Sequence, residues 1–183
     1  MENSLLPITH YDTLKEYPFM QRTSIYDSAR IVHQEPDAAE LREIDPDAIE
    51  FKVVFGETKE VSVPPEKYND VIDENLRKLK EEGYILLDLA VCNALLENTD
   101  RIPKAWWSQL DSDGPMIMNV SFYGTQLARE DGVPFTLAPF LAHGHWTCGW
   151  EPLHFSAENI ALYGTQEVAG IHRHAAVYRP MQG

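Results

Sequence analysis

Cysteine is scarce in this sequence: Cys92 and Cys148 are the only two. Two thiols make neither a disulfide framework nor a four-cysteine zinc site. Long apolar runs are missing too. No stretch of about 18 apolar residues occurs, which excludes a membrane-spanning helix. The opening MENSLLPITHYDTLKEYPF has neither the basic nor the apolar region of a secretion signal, so the expected residence is cytoplasmic. Basic residues are the third deficit: 15 Lys and Arg face 29 Asp and Glu, a formal net charge of −14. Without a Lys/Arg cluster to neutralise phosphates, direct binding to nucleic acid is disfavoured. Gly-rich phosphate loops, H-E-x-x-H and G-x-S-x-G are absent as well.

What is present has the balance of a soluble globular protein, with 44% hydrophobic and 24% charged residues. A chain of 183 residues suffices for a single globular unit with a sizeable core. The charge divides that unit. Residues 1–100 carry 22 acids and 10 bases, net −12, whereas residues 101–183 carry 7 and 5, net −2. All four tryptophans (Trp106, Trp107, Trp146, Trp150) lie in the second part. An acidic N-terminal part is thus joined to an aromatic C-terminal part.

Periodicity supplies the elements. Tyr11, Leu14, Tyr17 and Phe19 are expected to anchor an extended arm. Pro36 and Pro46 bound a stretch, Asp37 to Asp45, with room for one or two helical turns. Alternation over Ile49, Phe51, Val53 and Phe55 predicts a strand, and the turn Gly56 to Lys59 returns it through Val61 and Val63 as a β-hairpin. Tyr68, Val71, Ile72, Leu76 and Leu79 share one helical face, with Pro65 at the start and Gly83 at the end. Asp88 is placed to cap a second, apolar helix in which Cys92 reads as a core residue. Beyond Pro103 the pattern turns to β. The expected strands are MIMNVSFYG, then VPFTLAPFLA interrupted at Pro139, then HWTCGW, and finally Ile171 to Tyr178, with a short helix over Ala157 to Leu162. The fold class is α+β: an N-terminal hairpin with two helices, and a C-terminal antiparallel meander of three to four strands with a short helix.

Two sets of residues carry chemistry. Glu35, Asp37, Glu40, Glu43, Asp45, Asp47 and Glu50 crowd seven acids against one base, Arg42, between residues 35 and 50. They form either a solvated acidic linker or a surface for a basic partner, because carboxylates pair with the Arg and Lys that also bind phosphates. His143-Gly144-His145 and His172-Arg173-His174 are both His-x-His pairs. On a strand, residues two apart share a face, so each pair offers two imidazoles to a divalent transition metal, with Glu151 or His154 available to complete a set.

Residues 93–163 show a further pattern. It comprises Asn93-Ala94-Leu95-Leu96-Glu97-Asn98, Ile102-Pro103-Lys104-Ala105-Trp106, Phe122-Tyr123-Gly124-Thr125, the Asp131-Gly132 turn, and Gly144-His145-Trp146-Thr147-Cys148-Gly149-Trp150 with Leu153. This stretch resembles a group of small uncharacterised bacterial and phage proteins. The resemblance implies structural motifs, fixes none of the histidines and brings no assigned activity, so no catalytic residue follows from it. The expected function is a non-enzymatic, acidic interaction protein, such as a phage or mobile-element inhibitor of a nucleic-acid-binding enzyme, acting without a cofactor. The alternative is a metal-dependent enzyme or metal-binding protein using His143, His145, His172 and His174.

Overall fold

Strand alternation and helical periodicity sort the residues described by the computed structural model (5–22, 29–56, 63–113, 119–157 and 172–180) into an α+β fold. The first strands are β1 (Leu6–Pro7), β2 (Arg30–Gln34), β3 (Glu43–Ile44), β4 (Ile49–Phe55) and β5 (Ile85–Leu86). The remaining strands are β6 (Asn119–Ser121), β7 (Thr125–Ala128), β8 (Pro134–Ala142), β9 (His145–Pro152) and β10 (Arg173–Tyr178). The helices are α1 (Pro36–Ala39), α2 (Tyr68–Glu81), α3 (Leu89–Glu97) and α4 (Lys104–Gln109).

Local sequence explains α2 and α3. A 3-10 turn at Pro65–Lys67 leads into α2, which buries Tyr68, Ile72 and Leu79 on the predicted face. Gly83 ends it at φ +85, while Tyr84 N–H bonds to Leu79 O and Gly83 N–H to Lys80 O. That double bond satisfies the last carbonyls, and only a residue at ease in the left-handed region can supply it. Asp88 caps α3 as expected, its Oδ1 accepting from Val91 N–H at 3.1 Å. Residues Leu89 to Leu96 are all buried, so α3 runs through the core. Its polar Asn93 is satisfied by accepting the Phe19 N–H at 3.0 Å.

Two four-stranded sheets carry the rest. In one, β10 lies between β4 and β5 with β6 parallel to it; in the other the order is β2-β7-β8-β9. A small pair, β1 with β3, holds the N-terminal arm, and Leu14, Tyr17 and Phe19 are buried there as anchors. Alternation on β10 divides the interior. Ala176 joins α3, Phe122 and Leu137 in the main cluster, whereas Ala175 and Val177 face Val54, Leu79, Leu86 and Tyr123 beneath α2.

Three expectations change. Strand β4 pairs with β10, Phe51 opposite Ala176, and the returning strand of the expected hairpin, through Val61, lies outside the described residues. A helix, α4, forms where only β pattern was expected, with Pro103 at its N-cap and Trp106 buried. The strand through VPFTLAPFLA is not interrupted at Pro139; β8 runs on, with Pro139 opposite Cys148. Leu137 O accepts from Phe122 N–H and Leu141 N–H donates to Leu110 O, so the odd positions of β8 turn their backbone away from β9. The missing N–H of Pro139 therefore falls outside the β8–β9 ladder. Finally, the meander closes as β7-β8-β9, and the last strand belongs to the other sheet. Ile117, Met118 and the helix beyond Ala157 lie outside the described residues.

Candidate functional site

The acidic segment folds as α1, β3, a 3-10 turn at Pro46–Ala48 and the start of β4. Three of its seven carboxylates are already engaged. Glu35 lies 3.0 Å from Lys80 Nζ and 3.6 Å from His33 Nε2, Glu50 pairs with Lys52, and Asp45 accepts the Asp47 N–H at 3.1 Å. The other four, Asp37, Glu40, Glu43 and Asp47, are exposed and have no ion pair among the described residues. Helix α2 presents the contrast. Asp70 pairs with Lys67, Glu74 with Arg77 and Lys78, Glu81 with Arg77, and Asp73 with His154.

The histidine pairs do not converge. His143 and Gly144 make the two-residue turn between β8 and β9, at φ 49 and φ 78, so His143 is not on a strand with His145. Its N–H and ring are held by Asp113 Oδ2, at 3.1 and 3.3 Å. His172 and His174 are neighbours, with ring centroids 6.3 Å apart. Among the described residues no three His, Cys, Asp or Glu side chains form a metal-holding group. Cys92 and Cys148 are buried, and burial with the Cys148 thiol alongside pushes the Cys92 thiol well up, which keeps it protonated.

His174 faces the core side of β10, where burial drives its pKa below the ordinary 6.5; His172 adds to the shift and a bond to the Asn119 backbone opposes it. An unfolded chain takes up this proton near 6.5, and the folded chain does so only at lower pH. The stability is therefore present above 6.5 and falls as pH drops through that window. Urea midpoints at about pH 7.5 and 5.5 are expected to separate more for the native protein than for His174→Gln, with equal separations counting against this account.

Between the two sheets lies a cleft of about 270 Å³ whose lining mixes charged and apolar side chains. Asp73, Leu76, Arg77 and Lys80, at helical spacing, form its α2 wall. Gln126 of β7 and Pro134 stand opposite, and Tyr123, Leu86 and Leu153 supply an apolar base. At its mouth lie an ion pair, Lys80–Glu35 at 3.0 Å, and a hydrogen bond between His154 Nε2 and Asp73 Oδ1 at 2.8 Å. Beneath it, Arg173 is 4% exposed and lies 2.9 Å from Glu151, donates to Pro152 O and Leu153 O, and stacks 3.9 Å above the Phe155 ring. This buried cation fixes the turn after β9 and so places Leu153 and His154 at the cleft. Burial raises the Glu151 carboxyl, with Arg173 opposing, and lifts the Tyr123 phenol to about 12.

Sequence reasoning singled out Glu35 and His154 but missed Asp73, Lys80, Gln126 and Tyr123. On α2 the signal was there in the polar positions 73, 77 and 80 flanking the apolar stripe; the residues facing them are remote in sequence. The tryptophans also separate: Trp106 is buried, while Trp107 and Trp150 are exposed. Compared with known protein families, curated proteins and solved structures, the chain matches none.

Proposed function

We propose that this chain is an acidic interaction protein whose segment 35–50 docks on a basic protein surface of the kind that holds nucleic-acid phosphates, and so acts as an inhibitor. The observation that carries this reading is the contrast between the two acidic regions. On and beside α2 the carboxylates are paired with Lys67, Arg77 and Lys78 or hydrogen-bonded to His154, whereas Asp37, Glu40, Glu43 and Asp47 stand exposed with no ion pair among the described residues. Unneutralised carboxylates at a net charge of −14 steer encounter with a positive surface and are free to pair with its Arg and Lys.

Purified nucleic-acid-binding enzymes, titrated one by one against the immobilised protein, test it. A true partner binds at low salt, is displaced by duplex DNA, and loses at least about ten-fold in affinity at about 0.5 M salt, where screening shortens to a few ångströms. Neutralising the four free carboxylates together (Asp37→Asn, Glu40→Gln, Glu43→Gln, Asp47→Asn) is expected to produce a comparable loss. Affinity unchanged between low and high salt would overturn the proposal.

A further inference from the structure

We infer that the cleft between α2 and β7 binds a small α-ammonium carboxylate with an apolar side chain, that is, a free amino acid of the leucine or phenylalanine kind. Size limits the choice first. At about 270 Å³ the cleft lies just below the roughly 300–1,000 Å³ of pockets that enclose drug-sized ligands, a volume that suits a small ligand.

Charge narrows it further. At one end, Lys80 Nζ and Glu35 Oε1 lie 3.0 Å apart and offer both signs within one ligand group's reach. A carboxylate and an ammonium on the same carbon match that pairing: the ammonium meets Glu35 and the carboxylate meets Lys80. Gln126, whose side-chain amide has no hydrogen bond among the described residues, stands on the facing wall as a second donor for the carboxylate. Arg77 is already held by Glu74 and Glu81, so it shapes the wall without entering the exchange.

The remaining surface receives the side chain. Tyr123, Leu86 and Leu153, all nine-tenths buried or more, form an apolar base under the charged mouth. The exchange is inexpensive on the protein side. Lys80 is 45% and Glu35 20% exposed, so water screens the pair and a zwitterion replaces it with little loss. The cleft shares Glu35 with the acidic segment, but Asp37, Glu40, Glu43 and Asp47 take no part in it, so variants at those four separate the two sites.

Calorimetric titration of the full chain tests it, with L-leucine and L-phenylalanine as probes. The expected result is saturation at one site per chain by at least one of them, and none by glycine, which lacks the side chain. 4-Methylpentanoate without the ammonium and 3-methylbutylamine without the carboxylate should each bind at least about ten-fold more weakly than leucine. Lys80→Met and Glu35→Gln, surface changes checked for folding by thermal unfolding, should each weaken binding by a similar factor. Asp37→Asn with Glu40→Gln should leave it unchanged. No saturation by leucine or phenylalanine overturns the inference, as does affinity retained in both cleft variants or equal affinity for 4-methylpentanoate.

Discussion

Gly124→Ala is expected to lower the urea midpoint and the melting temperature well beyond what Gly83→Ala does. A Cβ built at Gly124 would lie 2.3 Å from Leu86 O and 2.9 Å from both C and O of Leu87. These are backbone atoms, and they have nowhere to go. Gly124 N–H bonds to Leu87 O at 2.9 Å, Leu87 N–H to Ala176 O at 3.0 Å, and Glu35 N–H to Gly124 O at 2.8 Å. Three segments from the two sheets therefore meet at one residue, and a methyl group must break at least one of those bonds. Overpacking a rigid site costs about 1–3 kcal/mol, and a clash with hydrogen-bonded backbone belongs at or above the top of that range. For a chain of this size that is about 10 °C in melting temperature. Gly83→Ala serves as the comparison, since its Cβ would meet nothing within 4 Å and its penalty comes from φ +85 alone. If Gly124→Ala melts within a degree of the native protein, close approach is removed as the reason for this glycine.

The second large effect is at Asp88. Its side chain is fully buried, and its two oxygens accept from Val91 N–H at 3.1 Å and Gln34 Nε2 at 2.8 Å, with His10 Nε2 at 3.0 Å. One carboxylate thus starts α3, holds the end of β2 and ties down the N-terminal arm. Asp88→Ala removes the helix cap and leaves the half-buried Gln34 and His10 without their partner, a loss of about 2–4 kcal/mol. Asp88→Asn keeps an oxygen for the cap but turns an amide N–H₂ toward donors, so it is expected to lose roughly half as much. Limited proteolysis separates the two roles. In Asp88→Ala, cleavage within residues 5–22 should precede global unfolding, whereas wild type and Asp88→Asn resist. Simultaneous loss of arm and core protection would show instead that the arm is no separate unit.

Elements written in local chemistry were legible in the sequence. Helix α2 announced itself through Pro65, an apolar stripe and Gly83; α3 through Asp88; and the β8–β9 turn through Gly144. Strand β2 was not legible, because RIVHQ is short, mostly exposed and without strict alternation. Helix α4 was hidden by its length and by adjacent tryptophans that suit a strand equally well. The pairing of β4 with β10 joins residues more than a hundred positions apart, and nothing in either strand names the other. The Phe122-Tyr123-Gly124-Thr125 motif was visible as a pattern, but its reason is tertiary. Phe122 enters one cluster and Tyr123 the other, Gly124 admits a crossing backbone, and Thr125 Oγ1 accepts the Leu89 N–H at 3.0 Å. The cleft eluded the sequence for the same reason, since its walls come from several separate segments. Of the histidine pairs, His143 and His145 are divided by the β8–β9 turn, whereas His172 and His174 stand side by side with ring centroids 6.3 Å apart.

The central place of β10 bears on how this chain is made. Synthesis proceeds from the N-terminal side, at about 5–20 residues per second, so β4, β5 and β6 leave the ribosome well before the strand they all bond to. Until residues 173–178 emerge, the seven-residue β4 has an edge without its described ladder, and Val54, Leu86 and Tyr123 lack the Ala175 and Val177 that cover them. Helix α2 can form beforehand from local signals alone, but the layer it covers cannot close. Folding of that sheet is therefore a late, long-range event, slow in the way that non-local strand pairing is slow. A nascent chain stalled short of residue 173 is therefore expected to leave that apolar layer uncovered and to aggregate more readily than the full chain.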